Sequence, residues 1–184
     1  VLSNQEFYDP ISGSLGVLNC SLNHLTLRPA HHFNDTDLIL LSQNLPKFSH
    51  LKHLSINLGH RPQVAHERSN QALAQFAFAI KSLTKLASLD LNFAEDYQYS
   101  NPIQIISQSL ASLTKLISLS LNFGRCQSEP TSSIQTLSSS LKQLPLLKSL
   151  NLKLFRNNTM NDESLRDLMQ GLEKLGRLTK LELH

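Results

Sequence analysis

The chain has 184 residues and a formal net charge of +3, and 40% of its residues are hydrophobic, with leucine dominating. This length is enough for one domain with a sizeable core, and six glycines and seven prolines are too few for a disordered or collagen-like chain. The small net charge does not by itself indicate a nucleic-acid or anionic-lipid partner, and no segment reaches the roughly 20 apolar residues of a transmembrane helix.

Residues 1–21 show neither a signal peptide nor a regular pattern, and we predict an irregular N-terminal segment there. Cys20 and Cys126 are too few and too far apart for a disulfide framework, which favours reduced thiols and a cytoplasmic location. The chain has no initial Met, and its final residues lie within a predicted strand. We therefore interpret it as a fragment of a longer protein.

From residue 22 onward, the pattern Leu-x-x-Leu-x-Leu occurs six times, once with Ile in the last place. The middle residues of the six motifs are Leu25, Leu54, Leu89, Leu119, Leu150 and Leu181. Successive motifs are 29 to 35 residues apart. Since alternating leucines mark a strand with one buried face, each motif predicts a short strand.

Apolar residues spaced by three and four positions precede each later motif, and this spacing predicts one amphipathic helix per unit. The predicted stripes are Leu38, Leu41, Leu45; Leu73, Phe76, Ile80; Ile103, Ile106, Leu110; Ile134, Leu137, Leu141; and Leu165, Leu168, Leu172. Predicted N-caps are Asp35 or Asp37, Ser69 or Asn70, Ser100 before Pro102, Thr131 or Ser132, and Asn161 or Asp162.

Segments 83–93 (LTKLASLDLNF) and 113–123 (LTKLISLSLNF) resemble leucine-rich repeats, and the helix-bearing unit is similar to the ribonuclease-inhibitor-like class. The Asn- and Ser-rich composition is similar to that of ciliate repeat proteins. The resemblance implies an α/β solenoid over residues 22–184, with about five repeats and a final strand. It also implies a horseshoe arc with parallel strands on the concave face and helices on the convex face.

The repeats depart from that family at one position. The family usually places Asn or Cys three residues after the last strand leucine, where its side chain satisfies the loop backbone. Here Gly59, Ala94 and Gly124 stand at that position, and Phe155 stands there in the fifth unit. Asparagine occurs two residues earlier in three of these units, so we expect the loop geometry to differ.

The resemblance implies that partners bind the concave face, whose outward strand positions are mostly Ser and Asn. The candidate partner-binding residues are Ser55, Asn57, Ser88, Asp90, Asn92, Ser118, Ser120, Asn122, Asn151 and Lys153. Two long loops, 59–68 and 94–101, are expected to overhang this face. They offer Tyr97 and Tyr99 as aromatic anchors, with ordinary packing inside the loop as the alternative.

Motifs for catalysis and phosphate binding are missing from the sequence, so we predict a protein that is not an enzyme, with no catalytic residues and no cofactor. Seven of the eight histidines lie between residues 24 and 66: His24, His31, His32, His50, His53, His60 and His66. Their spacing fits no known ligand set. We therefore predict exposed histidines and no metal site, with a metal site as the alternative.

Ten of the 17 basic residues lie where a predicted helix returns to the next strand. They are Lys47, Lys52, Lys81, Lys85, Lys115, Lys142, Lys148, Lys174, Arg177 and Lys180. Positively charged side chains are favourable at helix C-termini, and this explains their position without a ligand. We favour this explanation because aromatic residues do not alternate with the charges. RNA or a membrane surface bound through this basic rim is the alternative.

The sequence thus predicts a module for protein–protein interaction or scaffolding that binds through the concave face and its overhanging loops. It does not identify the protein partner, and nucleic acid is not favoured. A recognition arm of a larger enzyme or ubiquitin-ligase receptor is a further alternative. A subunit of a larger complex is another alternative that the sequence leaves open.

Overall fold

A computed structural model describes residues 22–28, 34–59, 69–94, 99–126, 130, 132–155 and 161–184. The predicted irregular segment 1–21 lies outside these residues. The strands are β1 (His24–Leu27), β2 (His53–Asn57), β3 (Ser88–Asn92), β4 (Ser118–Asn122), β5 (Ser149–Lys153) and β6 (Lys180–Leu183). The helices are α1 (Asp35–Asn44), α2 (Asn70–Lys81), α3 (Pro102–Leu110), α4 (Ser132–Leu141) and α5 (Asp162–Leu172), and a 3-10 turn, Leu45–Lys47, follows α1.

The six strands form one parallel sheet in the order of the chain, from β1 to β6. Equivalent motif residues pair across the sheet, so that Leu54 is opposite Leu89, Leu89 is opposite Leu119, and Leu119 is opposite Leu150. Each helix also packs on the next helix along the chain. The prediction of an α/β chain of alternating strands and helices is confirmed.

The core lies between one face of the sheet and the helices. Motif leucines such as Leu89 and Leu119 are buried there, together with helix residues such as Phe76 and Ile106. The alternate strand residues are exposed or half-buried. One face of the sheet is therefore free of covering elements among the described residues, and we call it the open face; it consists of the outward side chains of β1–β6.

Small side chains allow neighbouring helices to approach closely. Ser42, Ala77, Ser107 and Ser138 occupy equivalent helix positions and are all buried. A Cβ atom on Gly171 of α5 would lie 2.5 Å from the Ser138 hydroxyl of α4, so this approach requires glycine. The buried Ser42 hydroxyl donates to the Leu38 carbonyl at 2.6 Å, which limits the cost of its burial, whereas the buried Ser107 hydroxyl has no hydrogen-bond partner among the described residues.

Side-chain caps fix the starts of three helices. Asn34 caps α1 in a reciprocal box with Asp37, so the predicted caps at Asp35 or Asp37 were wrong, although Asp37 takes part. Ser69 and Asn161 cap α2 and α5, as predicted. Asn101 precedes Pro102 at the start of α3, in place of the predicted Ser100, and makes no side-chain cap bond.

The unit formed by α5 and β6 is less buried than those before it. Leu165 belongs to the predicted apolar stripe but is exposed, because no further helix among the described residues covers α5. In β6, Leu181 and Leu183 are 43% and 42% exposed, whereas their β5 equivalents are buried. None of the helices in the described part of the chain combines the length and hydrophobicity needed to cross a membrane.

Candidate functional site

The sheet register arranges the open face of β2–β5 in three rows that run across the strands. Row 1 contains His53, Ser88, Ser118 and Ser149; row 2 contains Ser55, Asp90, Ser120 and Asn151; row 3 contains Asn57, Asn92, Asn122 and Lys153. All twelve side chains are exposed or half-buried. The structure thus brings the ten candidate strand residues together on one surface.

Three asparagines of row 3 bond to the first residues of the loops that leave the strands. The Asn57 Oδ1 atom accepts a hydrogen bond from the Gly59 amide at 3.1 Å. Asn92 accepts from Ala94 at 3.0 Å, and Asn122 does the same for the Gly124 amide at 3.1 Å. Each asparagine therefore closes a turn onto its own chain two residues later. The three asparagines thus satisfy backbone amides at the start of the loops from two positions earlier in the chain.

Aromatic residues form a buried layer beneath this edge. Phe93 and Phe123 lie one residue beyond β3 and β4, and their rings stack at 5.4 Å between centroids. Tyr99 packs edge-on against Phe93 and is only 1% exposed. Tyr99 is therefore not a surface anchor, and its burial against Phe93 agrees with the alternative of ordinary packing. Tyr97 lies outside the described residues.

In rows 1 and 2, no side chain bonds to a loop amide among the described residues. Asp90 is the only carboxylate of the three rows, and its Oδ2 atom accepts a hydrogen bond from the Ser55 hydroxyl at 3.0 Å. The Oδ1 atom of Asn151 is buried and has no hydrogen-bond partner among the described residues. The centre of the open face is therefore a set of short, mainly neutral hydrogen-bonding groups.

Larger polar side chains stand at both ends of the open face. His24 and His53 are register partners, as the repeat spacing predicted, and their rings stack at 5.4 Å. At the other end, the Lys180 ammonium group lies 2.9 Å from Glu182 Oε1. This hydrogen bond and the positive charge of Lys180 hold the pKa of the Glu182 carboxyl below its usual value.

Within the described residues, no three His, Cys, Asp or Glu side chains lie close enough together to hold a metal ion. His31, His32, His60 and His66, which the alternative of a metal site includes, lie outside the described residues. Of the stacked pair of His24 and His53, the His24 Nε2 atom is 3.0 Å from the Thr26 hydroxyl.

The ten basic residues of the predicted rim are all exposed, at the end of the sheet where the strands begin. Sequence reasoning missed one neighbour of this rim. Phe78, in the last turn of α2, is 76% exposed. Phe78 stands two positions beyond the stripe residue Phe76 and therefore outside the apolar stripe. This position in the sequence could have indicated that its side chain is exposed.

Neither a search against protein-family models nor a search of the curated proteins finds a match to this chain. The functional interpretation of the open face therefore depends on its own geometry and chemistry.

Proposed function

We propose that the chain is a leucine-rich-repeat solenoid that binds a protein partner through the open face of its sheet. The repeat interval of 29 to 35 residues and the single sheet in chain order support this assignment. In a horseshoe arc of the ribonuclease-inhibitor-like class, the open face is the concave side, and its shape there complements a protein surface.

The observation that carries the proposal is the composition of rows 1 and 2. Their central members, Ser88, Ser118, Ser120 and Asn151, repeat at about 4.8 Å, the spacing of neighbouring strands. Short neutral side chains let another protein approach closely and exchange hydrogen bonds without removing several charges from water.

A binding role fits this surface better than catalysis. Acid–base chemistry needs titratable groups held together near a substrate. The titratable groups of the three rows are His53, Asp90 and Lys153, each in a different row, and Asp90 already bonds to Ser55. The same surface would serve a recognition arm of a larger enzyme or a ubiquitin-ligase receptor. That alternative concerns what is attached to the chain and leaves the binding face unchanged.

The test introduces long cationic side chains into rows 1 and 2 by the double substitution Ser118→Arg and Ser120→Arg. Both side chains point away from the core, so the fold should tolerate the change. The control is Ser139→Arg on the exposed surface of α4. Tagged proteins are expressed in the source cells, and co-purifying proteins are quantified by mass spectrometry.

We expect proteins that accompany the wild type and the Ser139→Arg control to be lost from the double variant. Circular dichroism of each purified protein would establish that all three are folded. If the folded double variant retains every partner of the wild type, the open face is not the binding surface.

A further inference from the structure

One edge of the sheet carries positive charge almost without compensation. This basic edge consists of the ten Lys and Arg residues of the predicted rim, together with the helix-to-strand returns in which they lie. Four of these returns, 45–52, 82–87, 111–117 and 142–148, contain no Asp or Glu. The returns are side by side because the backbone amides of Ala87, Ile117 and Lys148 each donate to the preceding return at 2.8 Å.

Two large apolar side chains are exposed among these cations. Phe78 is three residues before Lys81 on α2, and this spacing places both side chains on the same helical face. Ile117 directly precedes β4, follows Lys115 by two residues and is 42% exposed. The helix positions equivalent to Phe78 are polar: Gln43, Gln108, Ser139 and Gln170. The repeat therefore does not require an apolar residue at this position.

We propose that the basic edge docks on a phospholipid surface that contains anionic lipids, and that Phe78 and Ile117 insert between the headgroups. Nine of the ten cations are lysines, which are flexible point charges suited to a diffuse negative surface. From β2 to β6 the returns cover about 20 Å, at about 4.8 Å per strand. Several lysines can thus reach one membrane plane together with the apolar side chains.

Nucleic acid matches this edge less well. Single-stranded RNA is held by several aromatic side chains on which successive bases stack, and phosphates are best recognised by arginine forks. Among the described residues of the basic edge and its helix ends, Phe78 is the only exposed Phe or Tyr, and Arg177 is the only arginine. A set of lysines with isolated apolar side chains is more typical of a protein that associates with a membrane surface.

The test measures sedimentation of the intact chain with vesicles of phosphatidylcholine, with or without phosphatidylserine. One variant combines Lys85→Gln, Lys115→Gln and Lys148→Gln, and a second is Phe78→Ser; all four side chains are exposed. The controls are Lys153→Gln on the open face and Arg166→Gln on α5. Thermal unfolding followed by circular dichroism checks that each variant folds.

We expect the wild type to bind only the vesicles with phosphatidylserine, and added salt to weaken binding. Each lysine removed should lower the partition coefficient about fivefold, so the triple variant should lose about 100-fold. Phe78→Ser should lose about tenfold, because it removes a largely exposed aromatic side chain from the contact. Both controls should bind as the wild type does.

Equal binding to the two kinds of vesicle, or unchanged binding by the triple variant, would overturn the proposal. Binding to single-stranded RNA without binding to the anionic vesicles would overturn it in favour of nucleic acid. The Ser118→Arg and Ser120→Arg double variant keeps the basic edge intact. It should still bind the vesicles, so the failure of one proposal can be distinguished from failure of the other.

Discussion

The units around β3 and β4 and the unit that ends in β6 follow the same leucine pattern but differ in environment. Leu119 and Leu121 of β4 are completely buried, whereas Leu181 and Leu183 of β6 remain over two-fifths exposed. The central leucines have a unit on each side, and β6 pairs only with β5 among the described strands. The leucine pattern therefore establishes which face of a strand is apolar, and the neighbouring units determine how far that face is buried.

The largest expected difference in stability loss is between substitutions of two phenylalanines at the edge where the strands end. Phe93 is buried between Phe123 and Tyr99, while Phe155 is 40% exposed and lies over Gly124. Phe93→Ala should destabilise the protein by about 3–5 kcal/mol. Phe155→Ala should cost less than half as much, since part of its surface already contacts water. Urea unfolding followed by circular dichroism measures both, and equal losses would contradict the comparison.

The next largest difference in stability loss is between substitutions of two leucines at equivalent strand positions. Leu119→Ala should cost about 2–5 kcal/mol, because it leaves a cavity inside the core. Leu181→Ala at the matching position of β6 should cost about 1 kcal/mol or less, since the site is open. The midpoint of urea unfolding reports both values. A large loss for Leu181→Ala would mean that this strand is covered in solution.

The smallest expected difference in stability loss is between two substitutions in row 3. Asn122→Ala removes the hydrogen bond to the Gly124 amide and should cost about 1 kcal/mol. Lys153 is the row neighbour of Asn122 in β5, and Lys153→Ala should change the stability by no more than about 0.5 kcal/mol. Hydrogen exchange of the Gly124 amide, measured by NMR, should accelerate in Asn122→Ala and stay unchanged in Lys153→Ala. An unchanged Gly124 rate in both would show that the turn does not depend on Asn122.

Sequence periodicity was sufficient to predict the strands and the helices, because the same spacing recurs in every unit, and the resemblance to leucine-rich repeats implied their parallel arrangement. It was insufficient for Leu165 and Leu181, whose exposure depends on whether another unit lies beside them. The asparagine Asn34 was missed as a cap, although Asn34 and Asp37 have the separation of a capping box. The spacing of apolar residues thus predicts each strand and helix. It does not predict how far a neighbouring unit buries their side chains.

The candidate site was predicted in position but not in the roles of its residues. The outward strand positions follow directly from alternation, and the structure places them on one face. Alternation cannot show that Asn57, Asn92 and Asn122 bond to loop amides, because that depends on the backbone conformation after each strand. The burial of Tyr99 likewise depends on its contact with Phe93, which the spacing of the leucines does not determine.

The strand register has a consequence for how the chain folds. Paired residues of neighbouring strands are 29 to 35 positions apart at every step of the sheet. The entropy lost on closing each connection is therefore nearly the same, and it does not increase with the number of units. Contact order relative to chain length falls as units are added, so a longer array of this kind need not fold more slowly. Folding that begins in one adjacent pair of units can extend in both directions by equal steps.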